Sequence, residues 1–284
     1  MIWLPVLTLF VGLARTLSIK AFLTRSRIPE AEYLTSTTFL AGLMAAFVSW
    51  RAGVLPELTE LVEEPIWLLV SAAYTVVATV AVWLFYRGFR EESLTRYQLA
   101  ELLSPICILL FAGIIFPEER DLRLYAVAGL ALVAFAIGHL SGQRFRFQHG
   151  ERILILVAIL YGFEAVFERL LIGQFSSLTV FLIRQIGLVT ALTLVLGFHL
   201  HEHLFSKRFW GVLFASVLGF GYAMALFESY RYVGVTASNV IFLAGPVLLS
   251  AWASRVGGER EPLRIYAAGT VILAAIAYTV FLVQ

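Results

Sequence analysis

Several charged side chains stand where charge is expensive. Arg15, Glu101, Glu164, Arg184 and Glu228 each interrupt a stretch that is otherwise apolar. A charge at the centre of a bilayer costs about 3 kcal/mol or more, so such residues mark functional sites by default. Glu168 follows Glu164 by four positions, which places both carboxyls on one face of a helix. Gln185 adjoins Arg184, and the amides Gln98 and Asn239 sit in comparable apolar surroundings. Tyr74, Trp83, Tyr161 and Tyr222 offer rings on which a cationic or aromatic molecule can stack. Together these groups suit the binding of a small cationic or zwitterionic molecule. Glu164 carries a second expectation. A midplane carboxyl can hold either a proton or a cation but not both, so it can couple one to the other. Arg15 can bind a substrate carboxylate, or neutralise Glu164 or Glu101 in the empty state. Glu168, Arg169 and Glu228 are read as structural ion-pair or interface residues.

Other chemistries lack their parts. There is no nucleophile triad, no phosphate-binding glycine loop and no acid pair at catalytic spacing, so no enzyme and no cofactor are expected. His199, Glu202, His201 and His203 form a short cluster in a loop. It reads as a solvated polar cap rather than a metal site. Cys107 is the lone cysteine, inside an apolar run, which excludes a disulfide within the chain. Gly219 and Gly221 are expected to mark close helix packing.

The elements that must position these residues follow from hydropathy. The chain is 60% hydrophobic and 14% charged, with mean hydropathy +0.87. A soluble domain is about half apolar and about a quarter charged. The apolar residues arrive in blocks of spanning length, too long for the strands of a barrel. This predicts an all-α integral membrane protein with ten transmembrane helices. They fall near 2–23, 31–50, 65–86, 94–116, 122–141, 152–172, 177–198, 207–230, 235–256 and 264–282. The first block has no basic flank and no small-residue cleavage site, so it reads as a span rather than a signal peptide. The acidic 51–64 connection is long enough for a lateral amphipathic turn. A net charge of +2, with no basic cluster, gives no reason to expect nucleic acid. The expected setting is the cell membrane, inner or plasma, with the lipid bilayer and a small-molecule substrate as partners and the protein monomeric or homodimeric.

The halves repeat. Shifted by 141 positions, Arg90 falls on Arg231, Thr95 on Thr236, Pro105 on Pro246, Glu118 on Glu259, Arg123 on Arg264 and Tyr125 on Tyr266. Gln98 meets Asn239. Each half holds five spans, and an odd number inverts the second half relative to the first. The expected organisation is therefore two inverted five-helix repeats, 1–143 and 144–284, with a site at their interface near the midplane. Pro105 and Pro246 each remove a backbone hydrogen bond, and their symmetric placement makes them candidate hinges.

Leu103, Ser104 and Pro105 through Phe116, Pro117, Glu118 and Glu119, then Tyr125 to Gly129, resemble the recurring signature of EamA-type transporters in the drug/metabolite transporter superfamily. A second copy runs from Ala244, Gly245 and Pro246 to Gly257, Gly258 and Glu259, then Tyr266 to Gly269. Leu182, Ile183 and Arg184 resemble the family's helix-7 arginine motif; the matching stretch in helix 2, Thr35 to Thr38, has no arginine. The resemblance implies a secondary transporter, exporter or exchanger, of a small amino-acid-like or amine metabolite working by alternating access. It also implies that helices 3, 6 and 8 line the cavity, which is where Tyr74, Trp83, Tyr161 and Tyr222 lie. Small multidrug-resistance transporters resemble half of this fold and use a first-helix carboxylate to exchange protons; the matching position here is Glu164. A proton-coupled multidrug or quaternary-amine exporter is the alternative, and a lipid-headgroup flippase or membrane enzyme a more distant one. The family keeps both termini in the cytoplasm. By the positive-inside rule the loops divide about twelve Lys and Arg against four, with both termini on the poorer side, so outward termini are expected here.

Overall fold

A computed structural model gives the fold and describes residues 3–25, 29–91, 94–140, 149–197, 208–256 and 263–282. The described residues form helices joined by short turns. In chain order they form α1 (Trp3–Arg25), α2 (Glu30–Ala52), α3 (Pro56–Glu63), α4 (Pro65–Glu91), α5 (Leu94–Ile115), a 3-10 turn (Pro117–Glu119), α6 (Leu122–Leu140), α7 (His149–Gln174), α8 (Ser177–Leu196), α9 (Arg208–Tyr232), α10 (Val235–Phe242), α11 (Ala244–Val256) and α12 (Leu263–Leu282). Five of these contain stretches long and apolar enough to cross a membrane: Trp3–Phe22, Glu30–Ala52, Pro65–Arg90, Ser177–Leu196 and Phe209–Tyr232. This is the composition of a multi-pass membrane protein. α7 is longer than most, but Glu151, Arg152, Glu164, Glu168 and Arg169 make it the most charged of the long helices.

Helix ends follow local chemistry. α2 stops at Gly53, whose φ of 71° is left-handed and whose N–H closes on the carbonyls of Ser49 and Trp50. α3 begins with Pro56 in its first turn, where a missing N–H costs nothing. It buries only Leu61, so the acidic connection carries a short amphipathic helix. Ser176 caps α8 by accepting from the Thr179 N–H. One expected helix is broken. The apolar run 235–256 divides into α10 and α11 at Leu243. Pro246 explains this, because its ring clashes with the carbonyl four residues earlier, at Phe242. Pro105, its repeat partner, lies inside a continuous α5.

Packing joins the first part of the chain to the second. α1 lies against α9, α4 against α7, α2 against α8, α5 against α7, α10 and α11, and α6 against α12. Two hydrophobic clusters result. The larger gathers α1, α2, α4, α7, α8 and α9, and the smaller joins α5, α6, α10 and α12. Small residues allow the close approaches. At Gly12 a Cβ would stand 2.9 Å from the Tyr222 ring, so α1 leaves room for that ring with a bare backbone. The pair Gly219 and Gly221 does not act this way: a Cβ at Gly221 would meet nothing within 4 Å, and one at Gly219 would meet only Arg15 Nε, at 3.8 Å.

Candidate functional site

The larger cluster encloses a cavity of about 210 Å³. Arg15, Tyr161, Glu164, Arg184, Gln185, Tyr222, Asn239 and Pro105 all line it. Six helices converge to supply them: Arg15 comes from α1, Pro105 from α5, Tyr161 and Glu164 from α7, Arg184 and Gln185 from α8, Tyr222 from α9 and Asn239 from α10.

Glu164 and Arg184 form its central pair. Arg184 donates through Nε and Nη2 to the same Glu164 oxygen, Oε1, at 2.9 and 2.8 Å. Oε2 of Glu164 is buried and has no hydrogen-bond partner among the described residues. Glu164 is only 4% exposed, so the pair is desolvated, and its attraction is little screened. One turn further along α7, the Glu168 carboxyl also faces the cavity. Its Oε1 accepts a 3.0 Å hydrogen bond from the Tyr74 hydroxyl of α4. Arg15 lies across from these groups. Its guanidinium sits 5.4 Å from the centre of the Tyr222 ring, close to Tyr86 and Tyr161. It forms no ion pair with a carboxylate among the described residues; Glu164 is taken by Arg184 instead. Gln185 is 4% exposed and its Oε1 is buried without a partner among the described residues. Asn239 donates to the Tyr230 hydroxyl at 3.1 Å and to the Val235 carbonyl at 2.9 Å.

The remaining expected site residues fall elsewhere. Tyr74 stands behind the wall, fully buried, and reaches the cavity only through Glu168. Trp83 is 38% exposed on the outer side of α4, beside Glu30, Arg87 and Arg90, and is not at the cavity. One helix presents both faces: Tyr74, Val82 and Tyr86 turn inward where Trp83 turns out. The side chains of Gln98 and Glu101 lie outside the described residues, as do His199, His201, His203, Glu202 and Glu259. Sequence reasoning missed Tyr33, Tyr86 and Tyr230, which line the cavity as well. It also passed over Thr37 and Thr38, noted only for lacking an arginine; the signal was four consecutive hydroxyl residues in an apolar span.

The two ends of the cavity differ in chemistry. Where α1 stops and α2 begins, the wall is aromatic. Tyr33 packs on Phe22 and Tyr86, and Phe85, Phe89 and Tyr97 continue the cluster. Lys20 donates to the Phe89 carbonyl at 2.8 Å and lies 5.0 Å from its ring centre. The opposite end is polar. Glu119 accepts from the Val235 and Thr236 N–H groups at 3.1 and 3.0 Å, capping α10, and pairs with Arg169 of α7 at 3.4 Å. Arg231 donates to the carbonyls of Ile172 and Phe175, which close the end of α7. Glu57 of α3 accepts from the Ser176 N–H at 2.8 Å. Burial pushes the Glu57 carboxyl up, but the Ser176 N–H and the hydroxyls of Thr179 and Ser176 outweigh it and hold it below its ordinary value.

Residues 149–281 match the EamA-like transporter family, covering α7 to α12. This part of the chain is an EamA-like transporter domain. The EamA-like domain thus contributes Glu164, Glu168, Arg184, Gln185, Tyr222 and Asn239 to the cavity, and it belongs to the drug/metabolite transporter superfamily. Membership implies a membrane transporter, a class that is typically non-enzymatic. No curated protein matches the chain. A solved structure described as "Crystal structure of protein" shares the fold, with a TM-score of 0.65 and 18% identity over 97% of this chain and 98% of that one.

The signature stretch of the first half has a structural use. Arg120 donates to the carbonyls of Gly113 and Ile114 at the end of α5. The Tyr125 hydroxyl donates to the Leu109 carbonyl at 3.1 Å. Glu119 then reaches across to α7 and α10. The segment from Phe116 to Tyr125 therefore binds α5, α6, α7 and α10 at one end of the bundle.

Proposed function

We propose that the chain is a secondary transporter that moves a small zwitterionic, amino-acid-like metabolite by alternating access. The observation that carries this is Arg15: a guanidinium on an aromatic ring, facing a cavity, with no carboxylate at ion-pair distance among the described residues. Across the cavity stand Glu164 and Glu168. A substrate carboxylate at Arg15 and a substrate ammonium between Oε2 of Glu164 and the Glu168 carboxyl would satisfy both sides at once. The cavity of about 210 Å³ is small beside the roughly 300–1,000 Å³ of drug-sized sites, which favours a metabolite over a multidrug substrate.

Alternating access would use two inverted halves, 1–143 and 144–284. The helix pairing supports that division. Exchanging α1 with α7, α2 with α8 and α4 with α9 turns the α1–α9 contact into α7–α4, and leaves α2–α8 in place. Such a pattern is what an internal two-fold relation produces. On this reading ten spans cross the membrane, α10 and α11 forming one of them, and Pro105 and Pro246 serve as bending points.

Thermal unfolding of the purified protein tests the substrate class. Each amino acid would be compared with its matched amine and its matched carboxylic acid. Stabilisation by a zwitterion alone is expected, and Arg15→Gln should abolish it. Stabilisation by amines and not by zwitterions would replace this reading with the quaternary-amine exporter.

A further inference from the structure

Glu164 and Glu168 share one face of α7 and one cavity, yet their partners differ. Both are buried, at 4% and 5% exposure. Arg184 gives both of its contacts to Glu164. Arg169, the neighbouring cation on α7, pairs instead with Glu119. Arg15 sits on the Tyr222 ring. Glu168 thus has no cation at ion-pair distance among the described residues, and its one hydrogen bond comes from a neutral hydroxyl, Tyr74. The titratable groups that face it are Tyr74 from α4, Glu164 from α7 itself, Arg184 from α8 and Tyr230 from α9. The side chain of Glu101, on α5, lies outside the described residues.

A buried carboxylate needs a cation or a proton. Glu164 has its cation built in. Glu168 does not, and the Arg184 guanidinium is already engaged by Glu164, one turn away on α7. We infer that Glu168, and not Glu164, is the group that carries the exchangeable proton of this transporter. The Glu164–Arg184 pair then acts as a fixed dipole that positions substrate, while Glu168 is the site at which a proton and the substrate's ammonium compete. The step balances simply: the O–H bond of the Glu168 carboxyl breaks, its proton passes to water in the cavity, and the carboxylate left behind accepts the substrate N–H. Tyr74 is the positioning residue, since its hydroxyl donates to Oε1 in either state. The competition rests on the zwitterion reading above; the location of the proton does not.

Infrared difference spectroscopy of the reconstituted protein, titrated from about pH 5 to about pH 9, reads the proton without any substrate. A protonated carboxyl gives a C=O stretching band that vanishes on ionisation. The band of the buried carboxyl should be absent from Glu168→Gln and present in the double variant Glu164→Gln, Arg184→Gln. Tyr74→Phe should move it to higher frequency, because the hydrogen bond to the carbonyl is lost. Glu168→Asp, which keeps the carboxyl, should shift the band without removing it, and it serves if Glu168→Gln does not fold. A band that survives Glu168→Gln and disappears with Glu164→Gln would overturn the assignment, and so would the absence of any such band in the unmodified protein. If no zwitterion stabilises the protein while the band follows Glu168, the substrate reading fails and the proton site stands.

Discussion

The two contacts of Arg184 on one oxygen of Glu164 set the terms at the residue scale. Removing one member of a buried pair leaves a charge without compensation, which costs about 3 kcal/mol or more. Arg184→Gln should be the worse single change, because it strands Glu164 and Glu168 together. Glu164→Gln should be milder, since Arg184 can turn to Glu168 one helical turn away. The double variant should recover most of the loss, as read by denaturant unfolding in detergent. Glu57 supplies the pH-dependent case. Its carboxyl is held below its ordinary value in the fold, so its contribution is present above the unfolded value and is lost as pH falls through the folded one. Glu57→Gln should cost about 1 kcal/mol near neutral pH. The gap in melting temperature between variant and parent should close as the solution is acidified below the ordinary carboxylate range. Much of this site was legible beforehand: isolated charges in apolar runs are rare enough that Arg15, Glu164 and Arg184 declared themselves. Their pairing was not legible. Spacing along one helix cannot say whether Arg184 or Arg15 reaches Glu164, because that depends on how α1 and α8 are seated around α7.

At the scale of elements, Glu119 does the work of a cap from a distance. It belongs to a turn after α5, yet its carboxylate satisfies the first N–H groups of α10 and faces the positive end of that helix. Glu119→Gln should weaken this by about 1 kcal/mol and release Arg169. Hydrogen exchange at the amides of Val235 and Thr236 should then speed up while that of α8 stays unchanged. α1 and α9 offer a second case. Gly12→Ala would drive a methyl group into the Tyr222 ring and displace the surface on which Arg15 rests. A cost of about 1–3 kcal/mol is expected from overpacking. Loss of zwitterion-induced stabilisation should accompany it. The helices themselves could be read from apolar block length to within a few residues, because in lipid the backbone has no cheaper alternative. The division of 235–256 could not. Pro105 and Pro246 are equivalent in sequence, yet α5 runs on through Pro105 while the second helix parts at Leu243, ahead of Pro246.

For the molecule as a whole, the sequence count of Lys and Arg in the loops predicts that the side on which α1 ends and α2 begins, which carries the aromatic wall, faces the cytoplasm and that both termini lie outside, against the habit of the superfamily. A reporter that fluoresces only in the cytoplasm, fused after Gln284, should stay dark; bright cells would reverse the orientation. The same difference between ends has a thermal consequence. Opening the aromatic end wets rings of Phe22, Tyr33, Phe85 and Tyr86, and hydration of apolar surface raises heat capacity. Opening the polar end exchanges carboxylate and guanidinium contacts for water, with little such increment. The two openings therefore follow differently curved free-energy functions of temperature. Cooling weakens apolar closure, so a cold membrane should hold more of the population open toward the aromatic end. Transport should then slow on chilling by more than viscosity explains, with one half of the cycle stalling first.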